Sequence, residues 1–284
     1  AVVGTNNWNA IAYGNGKYVA VGASGYVTTS TDGKTWTTPT KIAEFSYTWN
    51  DIIYANGKFV VCGSYSYIAV STNGTNWTTY KVDSSAKYHW NGIAYGNGKF
   101  VVVVGLADII ILQWYKLDNA GVSLFIWKLV VIAYGNGKFV VAGNSSSNYI
   151  GVSTDGINWS WYNKPSGLMA YGMAYGNGKF VASSTNGRLY TSDDTGQTWS
   201  YIVPDIDGLS PANNDKYLNI VYNGEMFIAV GYNYSWNDDE SRNLYTDIVT
   251  TSTDGVNWST AVPIKDELGN VLRLTTLSII AVSA

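Results

Sequence analysis

The chain has 284 residues, a formal net charge of −3, 13% charged residues, 15% aromatics and 30 glycines. An average soluble domain carries about 25% charged residues, so this is a weakly charged, turn-rich and aromatic-rich chain, a composition that points to β structure. No basic run is interleaved with aromatics, which argues against a nucleic-acid partner, and no uninterrupted stretch of about 18 apolar residues marks membrane insertion.

The sequence starts at Ala1 without methionine and without a signal-peptide pattern, and release from something longer is the expectation at that end. From residue 11 onward one phrase recurs. "IAYGNGKYVAVG" at 11 returns as "IIYANGKFVVCG" at 52, "IAYGNGKFVVVV" at 93, "IAYGNGKFVVAG" at 132, "MAYGNGKFVASS" at 173 and "IVYNGEMFIAVG" at 220. Its tyrosines, Tyr13, Tyr54, Tyr95, Tyr134, Tyr175 and Tyr222, are spaced by 41, 41, 39, 41 and 47 residues.

Each unit reads as four short strands. The first ends in "IAY", and "GNGK" is a tight hairpin because Asn-Gly takes the positive φ that such turns require. The second strand, "YVAVG", is apolar on both faces and suits a strand sandwiched between neighbouring sheets. "GYVTTS" is the third, and the residues around a following tryptophan form the fourth. Four-stranded units of about 40 residues are the signature of a β-propeller. The expectation is therefore an all-β, six-bladed β-propeller of four-stranded antiparallel blades, one domain over 1–284, with seven blades as the weaker alternative. Ring closure would use the terminal segments "AVVG" and "LTTLSIIAVSA".

Between the third and fourth strands stands a second repeated phrase: "STDGKTW" at 30, "STNGTNW" at 71, "STDGINW" at 153, "SDDTGQTW" at 192 and "STDGVNW" at 252. The Asp or Asn side chain accepts hydrogen bonds from backbone N–H groups of its own turn, the glycine allows positive φ, and the serine hydroxyl closes the loop. Asp32, Asn73, Asp155, Asp194 and Asp254 are therefore read as structural, since carboxylates repeated around a ring cannot converge on one substrate.

The copy between 105 and 131 is missing, and the text there becomes "GLADIIILQWYKLDNAGVSLFIWKLVV". Sliding the reading frame forward by one nucleotide lets the codons of Gln113–Asn119 spell "NGTNWTT", identical to residues 73–79, and lets the codon of Leu129 read tryptophan. Two compensating frameshifts are the favoured reading; divergence or an apolar insertion is the alternative.

"SDDTGQTW" resembles the Asp-box, or BNR-repeat, pattern Ser-x-Asp-x-Gly-x-Thr-Trp of sialidases and many other propellers, and the other copies are one residue shorter. The repeated units also look like those of bacterial surface and phage tail proteins. That resemblance implies a propeller and an extracellular, cell-surface or virion location, but it fixes no activity, because such propellers include hydrolases, lectins, receptors and assembly factors. The sialidase pattern of an arginine triad with a tyrosine nucleophile finds only Arg188, Arg242 and Arg273 here, and the early "RIP"-type motif is missing.

Nucleophilic and multi-histidine metal chemistry have little to work with. Cys62 is the single cysteine, excludes an intrachain disulfide and stands where sister segments carry valine or alanine; His89 is the only histidine. In an up-and-down blade the first hairpin and the Ser-Thr-Asp-Gly turn share one end, while the second hairpin and the link to the next blade share the other. The second end carries the variation, and function lives on such loops over a rigid scaffold. It offers Tyr47, Tyr88, His89, Trp161, Tyr162, Arg188, Tyr217, Trp236, Asp238, Asp239 and Arg242, with Trp49 and Trp90 assigned to packing because the repeat places them equivalently. Of these, His89, Trp161, Tyr162, Arg188, Trp236, Asp238, Asp239 and Arg242 form the candidate ligand set. Aromatic faces beside polar and charged groups suit sugars. "DIDG" at 205 and "NDD" at 237 could ligate calcium but lack the full oxygen-rich spacing; otherwise no cofactor is expected.

The reading is a non-catalytic binding propeller that recognises a glycan. A structural or protein-docking ring is the first alternative. An Asp-box glycoside hydrolase is the second, with Asp205, Asp207, Asp238, Asp239 and Glu240 as carboxylates that no spacing pairs.

Overall fold

A computed structural model describes residues 6–44, 46–82, 89–104, 109–112, 131–143, 149–193, 195–206, 216–237, 242–265 and 268–271, with backbone alone at 104, 109–112, 235–237 and 242–244. Every repeat forms an antiparallel meander. The first comprises β1 (Trp8–Gly14), β2 (Lys17–Gly22), β3 (Tyr26–Ser30) and β4 (Thr40–Lys41); the second β5 (Trp49–Ala55), β6 (Lys58–Gly63), β7 (Tyr67–Ser71) and β8 (Thr78–Lys81). The third comprises β9 (Trp90–Gly96), β10 (Lys99–Val104) and β11 (Ile109–Leu112); the fourth β12 (Val131–Gly135), β13 (Lys138–Ala142), β14 (Tyr149–Ser153) and β15 (Ser160–Asn163). The fifth comprises β16 (Ala170–Gly176), β17 (Lys179–Ser184), β18 (Leu189–Ser192) and β19 (Ser200–Ile202); the sixth β20 (Lys216–Tyr222), β21 (Phe227–Asn237), β22 (Arg242–Ser252) and β23 (Val262–Pro263).

The expectation of six four-stranded blades, or of seven, is thereby corrected. Among the described residues five sheets have four strands and the sheet of the third repeat has three. β11 takes the third-strand position against β10, with Val101 opposite Ile111, and the sequence after it carries no copy of the Ser-Thr-Asp-Gly phrase that follows the third strand in the other repeats. Residues 113–130, where the frameshift reading falls, lie outside the described residues, as do the terminal segments proposed for ring closure.

The chain divides into two compact units. One holds residues 1–141 and 153–159, the other 142–152 and 160–284. In the first unit, β6 explains its unbroken apolar sequence by serving two interfaces. Phe59 and Val61 pack with Val19, Val21, Trp49 and Ile52, while Val60 and Cys62 pack with Trp90, Ile93, Phe100 and Val102. Alternation along a strand sends neighbours to opposite faces, so a strand buried on both sides must be apolar throughout. Each fully buried Val or Phe of this kind contributes about 1.5–3 kcal/mol. In the second unit Val181, Leu189, Tyr217, Ile220, Phe227, Ala229 and Ile248 form the corresponding core.

Five of the first hairpins are built by Asn-Gly pairs with φ positive at both residues, as at Asn15 (50°) and Gly16 (71°) or Asn177 (42°) and Gly178 (77°), the type I′ geometry that matches strand twist. Close sheet approach is enforced by another glycine. A Cβ on Gly14 would lie 1.9 Å from the Tyr54 ring, and one on Gly96 2.2 Å from that of Tyr134.

Candidate functional site

The two ends of the sheets differ in what their polar groups do. At the first-hairpin end each Ser-Thr-Asp-Gly turn is closed on itself. Ser30 Oγ donates to Asp32 Oδ1 at 2.9 Å and accepts from Gly33 N at 2.9 Å, while Asp32 Oδ1 also accepts from Lys34 N (2.8 Å) and Thr35 N (2.7 Å). Asp254 repeats this with Val256 N (2.8 Å) and Asn257 N (2.7 Å), and Asn73 Oδ1 does so without a charge, accepting from Thr75 N and Asn76 N at 2.9 Å each. The N–H groups of Thr35 and then Lys34 hold the Asp32 carboxyl well below the usual carboxylate range, and those of Asn257 and Val256 do the same for Asp254. Asp155 is held low as well: its slight burial works against this, but the N–H groups of Asn158 and Ile157 prevail. Asp194 lies outside the described residues.

The same turns latch onto the preceding sheet. Asn15 Nδ2 donates to Thr72 O (3.4 Å) and Lys17 Nζ to Asn73 O (3.4 Å); Lys99 Nζ donates to Asp155 O at 2.9 Å and Asn177 Nδ2 to Thr253 O at 3.1 Å. The Asn and Lys of "GNGK" thus tie sheets together, a role that their hairpin geometry alone did not reveal.

At the opposite end the arrangement changes from repeat to repeat. In the first unit Tyr65 occupies the left-handed region (φ 60°, ψ 31°), uncommon for a bulky residue. Its ring stacks on Tyr47 at 4.5 Å between centroids and lies 5.7 Å from that of His89, while Tyr67 flanks Tyr47 at 5.2 Å. His89 Nδ1 bonds Ser64 Oγ at 3.0 Å. In the second unit the Arg188 guanidinium lies over the Tyr201 ring, 4.1 Å from its centroid, beside Tyr190.

The remaining candidates do not form one platform. Trp161 and Tyr162 are consecutive in β15, opposite Gly151 and Ile150 of β14, so they point to opposite faces. Trp236 stands opposite Asn243 and Arg242 opposite Asn237 in the long β21–β22 ribbon; their side chains, like Tyr88, Asp207, Asp238, Asp239 and Glu240, lie outside the description. Trp49 and Trp90 are 1% and 0% exposed. Tyr217, offered from sequence as a loop residue, is instead fully buried, because β20 begins at Lys216 and carries it into the core of the second unit. Among the described residues no three acids, histidines or cysteines gather to hold a metal ion, and no helix is long and apolar enough to cross a membrane.

Sequence reasoning missed Asp51. This carboxylate on β5 accepts from Ile52 N (2.8 Å) through Oδ1 and from Ile93 N of β9 (2.9 Å) through Oδ2. Burial pushes it up to about 6 against the pull of those two N–H groups. Its equivalents Ala10, Gly92, Val131, Gly172 and Asn219 carry no charge, which was the available signal. With both oxygens bonded to backbone, Asp51 clasps two sheets. Burial, and then Asp51 itself, push the adjacent Cys62 thiol up, away from the reactive thiolate.

Sheets of this design, repeated meanders with buried second strands, define a β-propeller of four-stranded antiparallel blades. Solved structures share the fold. The chain superposes on "YCF48 bound to D1 peptide" with a TM-score of 0.66 at 17% identity, covering 90% of this chain and 81% of that one. It superposes on YCF48 from Cyanidioschyzon merolae with a TM-score of 0.64 at 13% identity, covering 95% and 88%. The WD40 propeller of Doa1 follows with a TM-score of 0.57 at 11% identity, covering 88% and 90%. No family profile and no curated protein matches the sequence, so the Asp-box and sialidase resemblance has no counterpart beyond the propeller fold.

Proposed function

We propose that the chain is a protein-docking propeller that holds an extended segment of a partner against the second-hairpin end of its blades. The observation that carries this reading is the contrast between ends. The polar groups of the repeated turns are bonded within the scaffold, whereas the loop end presents aromatic and cationic groups in arrangements peculiar to single blades: Tyr47, Tyr65, Tyr67 and His89 in one unit, Arg188 and Tyr201 in the other. Rigid aromatic and arginine side chains are the residue types that anchor protein interfaces. The YCF48 propeller bound to D1 peptide supports the reading by analogy of fold.

The glycan reading is set aside. Trp161 and Tyr162 are consecutive in β15 and point to opposite faces, so they form no shared stacking platform. Photo-crosslinking tests the proposal. Benzoylphenylalanine placed at His89 should capture partner peptides that a benzoylphenylalanine at Asn56, in a first hairpin of the same unit, fails to capture; equal capture from both positions would refute it.

A further inference from the structure

The turn that joins β17 and β18 holds a seated cation, Arg188. Tyr190 is fully buried, and its hydroxyl donates to Ser166 O at 3.1 Å. Asn186 Nδ2 donates to Gly167 O at 2.7 Å and to the Tyr190 hydroxyl at 3.3 Å, fastening the 165–169 loop to the turn. Gly167 has φ +81°, and a Cβ there would lie 2.9 Å from Arg188 Nη1, so glycine is what lets the loop close against the guanidinium.

Arg188 is thereby fixed, and among the described residues no carboxylate pairs with it. One face rests on the Tyr201 ring, and its single hydrogen-bond partner among the described residues is the Tyr190 hydroxyl, at a long 3.5 Å. A guanidinium has five N–H donors in a rigid fork whose geometry matches a carboxylate. Stacking engages the face of the guanidinium, and the one long bond to Tyr190 uses a single donor of that fork. Two exposed apolar side chains lie at this turn: Tyr201 is 52% and Met169 39% exposed, and Met169 Sδ accepts from Thr185 Oγ1 of the same turn at 3.9 Å.

We propose that Arg188, seated on Tyr201 and Tyr190, is a receptor for one carboxylate of a partner peptide, flanked by apolar residues that meet Met169 and the exposed part of Tyr201. One guanidinium matches one carboxylate charge, and the carboxylate belongs either to an Asp or Glu side chain or to a chain terminus. The inference rests on the docking reading above and adds the chemistry of the partner.

The test starts from a random linear peptide library selected on the full chain, after which one retained peptide is resynthesised in three forms: with its acidic residues amidated, with its C-terminus amidated, and with both changes. Fluorescence anisotropy should show that one of the single changes weakens binding by about tenfold or more. Against Arg188→Gln, the unmodified and amidated peptides should bind alike, and Arg188→Lys, which keeps the charge but not the fork, should restore only part of the preference. Which amidation matters identifies the source of the carboxylate. Retained peptides that ignore both amidations, or that lose the same factor to Arg188→Gln whether amidated or not, would overturn the carboxylate site while leaving docking intact. A preference for phosphorylated peptides over carboxylate-bearing ones would overturn it as well, and a library from which nothing is retained would overturn both readings. The melting temperature of each variant, compared with the parent chain, separates loss of binding from loss of fold.

Discussion

The second and third repeats begin alike and end differently. "WNDIIYANGKFVVCG" and "WNGIAYGNGKFVVVV" both give two long antiparallel strands with a buried leading tryptophan. The second repeat then continues through β7, the turn at Asn73 and β8, while the third has only β11 among the described residues. Both repeats thus share the apolar pattern and the Asn-Gly hairpin of the first two strands, whereas the Ser-Thr-Asp-Gly phrase that precedes β8 has no copy in the third repeat. Replacing Gln113–Asn119 with "NGTNWTT" gives the third repeat the turn of the second and should raise the melting temperature. The frame actually present is read directly by peptide mass spectrometry, since a peptide containing "LQWYK" places those residues in the molecule.

The largest effect that would break the comparison lies at the first hairpin, where the third repeat carries Gly96 and the second Ala55. Gly96→Val forces side-chain atoms into the Tyr134 ring and should destabilise by about 3 kcal/mol or prevent cooperative folding. Gly98→Ala, at φ +74° with nothing within 4 Å, should cost only about 1 kcal/mol by chemical denaturation, the difference being steric overlap against backbone strain alone.

Next comes Asp51, present in the second repeat and replaced by Gly92 in the third. Its folded value of about 6 stands above the ordinary 3.8, so its contribution favours folding below the unfolded value and is lost as pH rises through about 6. The melting temperature should rise on acidification from about pH 7 to about pH 5, and Asp51→Asn should remove that rise.

The turn carboxylates act in the opposite sense. The folded values of Asp32, Asp155 and Asp254 are depressed, so their stabilisation is present above the unfolded value near 3.8 and is lost as pH falls below it. Replacing all three with asparagine, the residue that Asn73 already supplies, should flatten the acid limb of the stability profile with a small change at neutral pH. The smallest expected effect is at Cys62: the native thiol should resist alkylation by iodoacetamide and react once the chain is unfolded, and Cys62→Val should shift stability by less than about 1.5 kcal/mol.

Much of the scaffold was legible because its determinants are local. The turn at Asp32 closes over six residues, and the hairpin at Asn15 and Gly16 needs only two positive φ values. The site was less legible. Arg188 was singled out, but its seat on Tyr201 was not; Tyr217 was placed on a loop and is core; Asp51 went unnoticed inside a strand.

The sequence by itself determined the repeat, the hairpins, the self-closed turns and the doubly apolar second strands, since these follow from side chains within a few residues of one another. Only the tertiary structure decided that Asp51 clasps Ile93, that the lysines of "GNGK" hold the next turn, and that Gly167 lets a loop close on Arg188. Those contacts join residues about half a blade to a full blade or more apart, and their energies depend on how sheets pack, which no local pattern encodes.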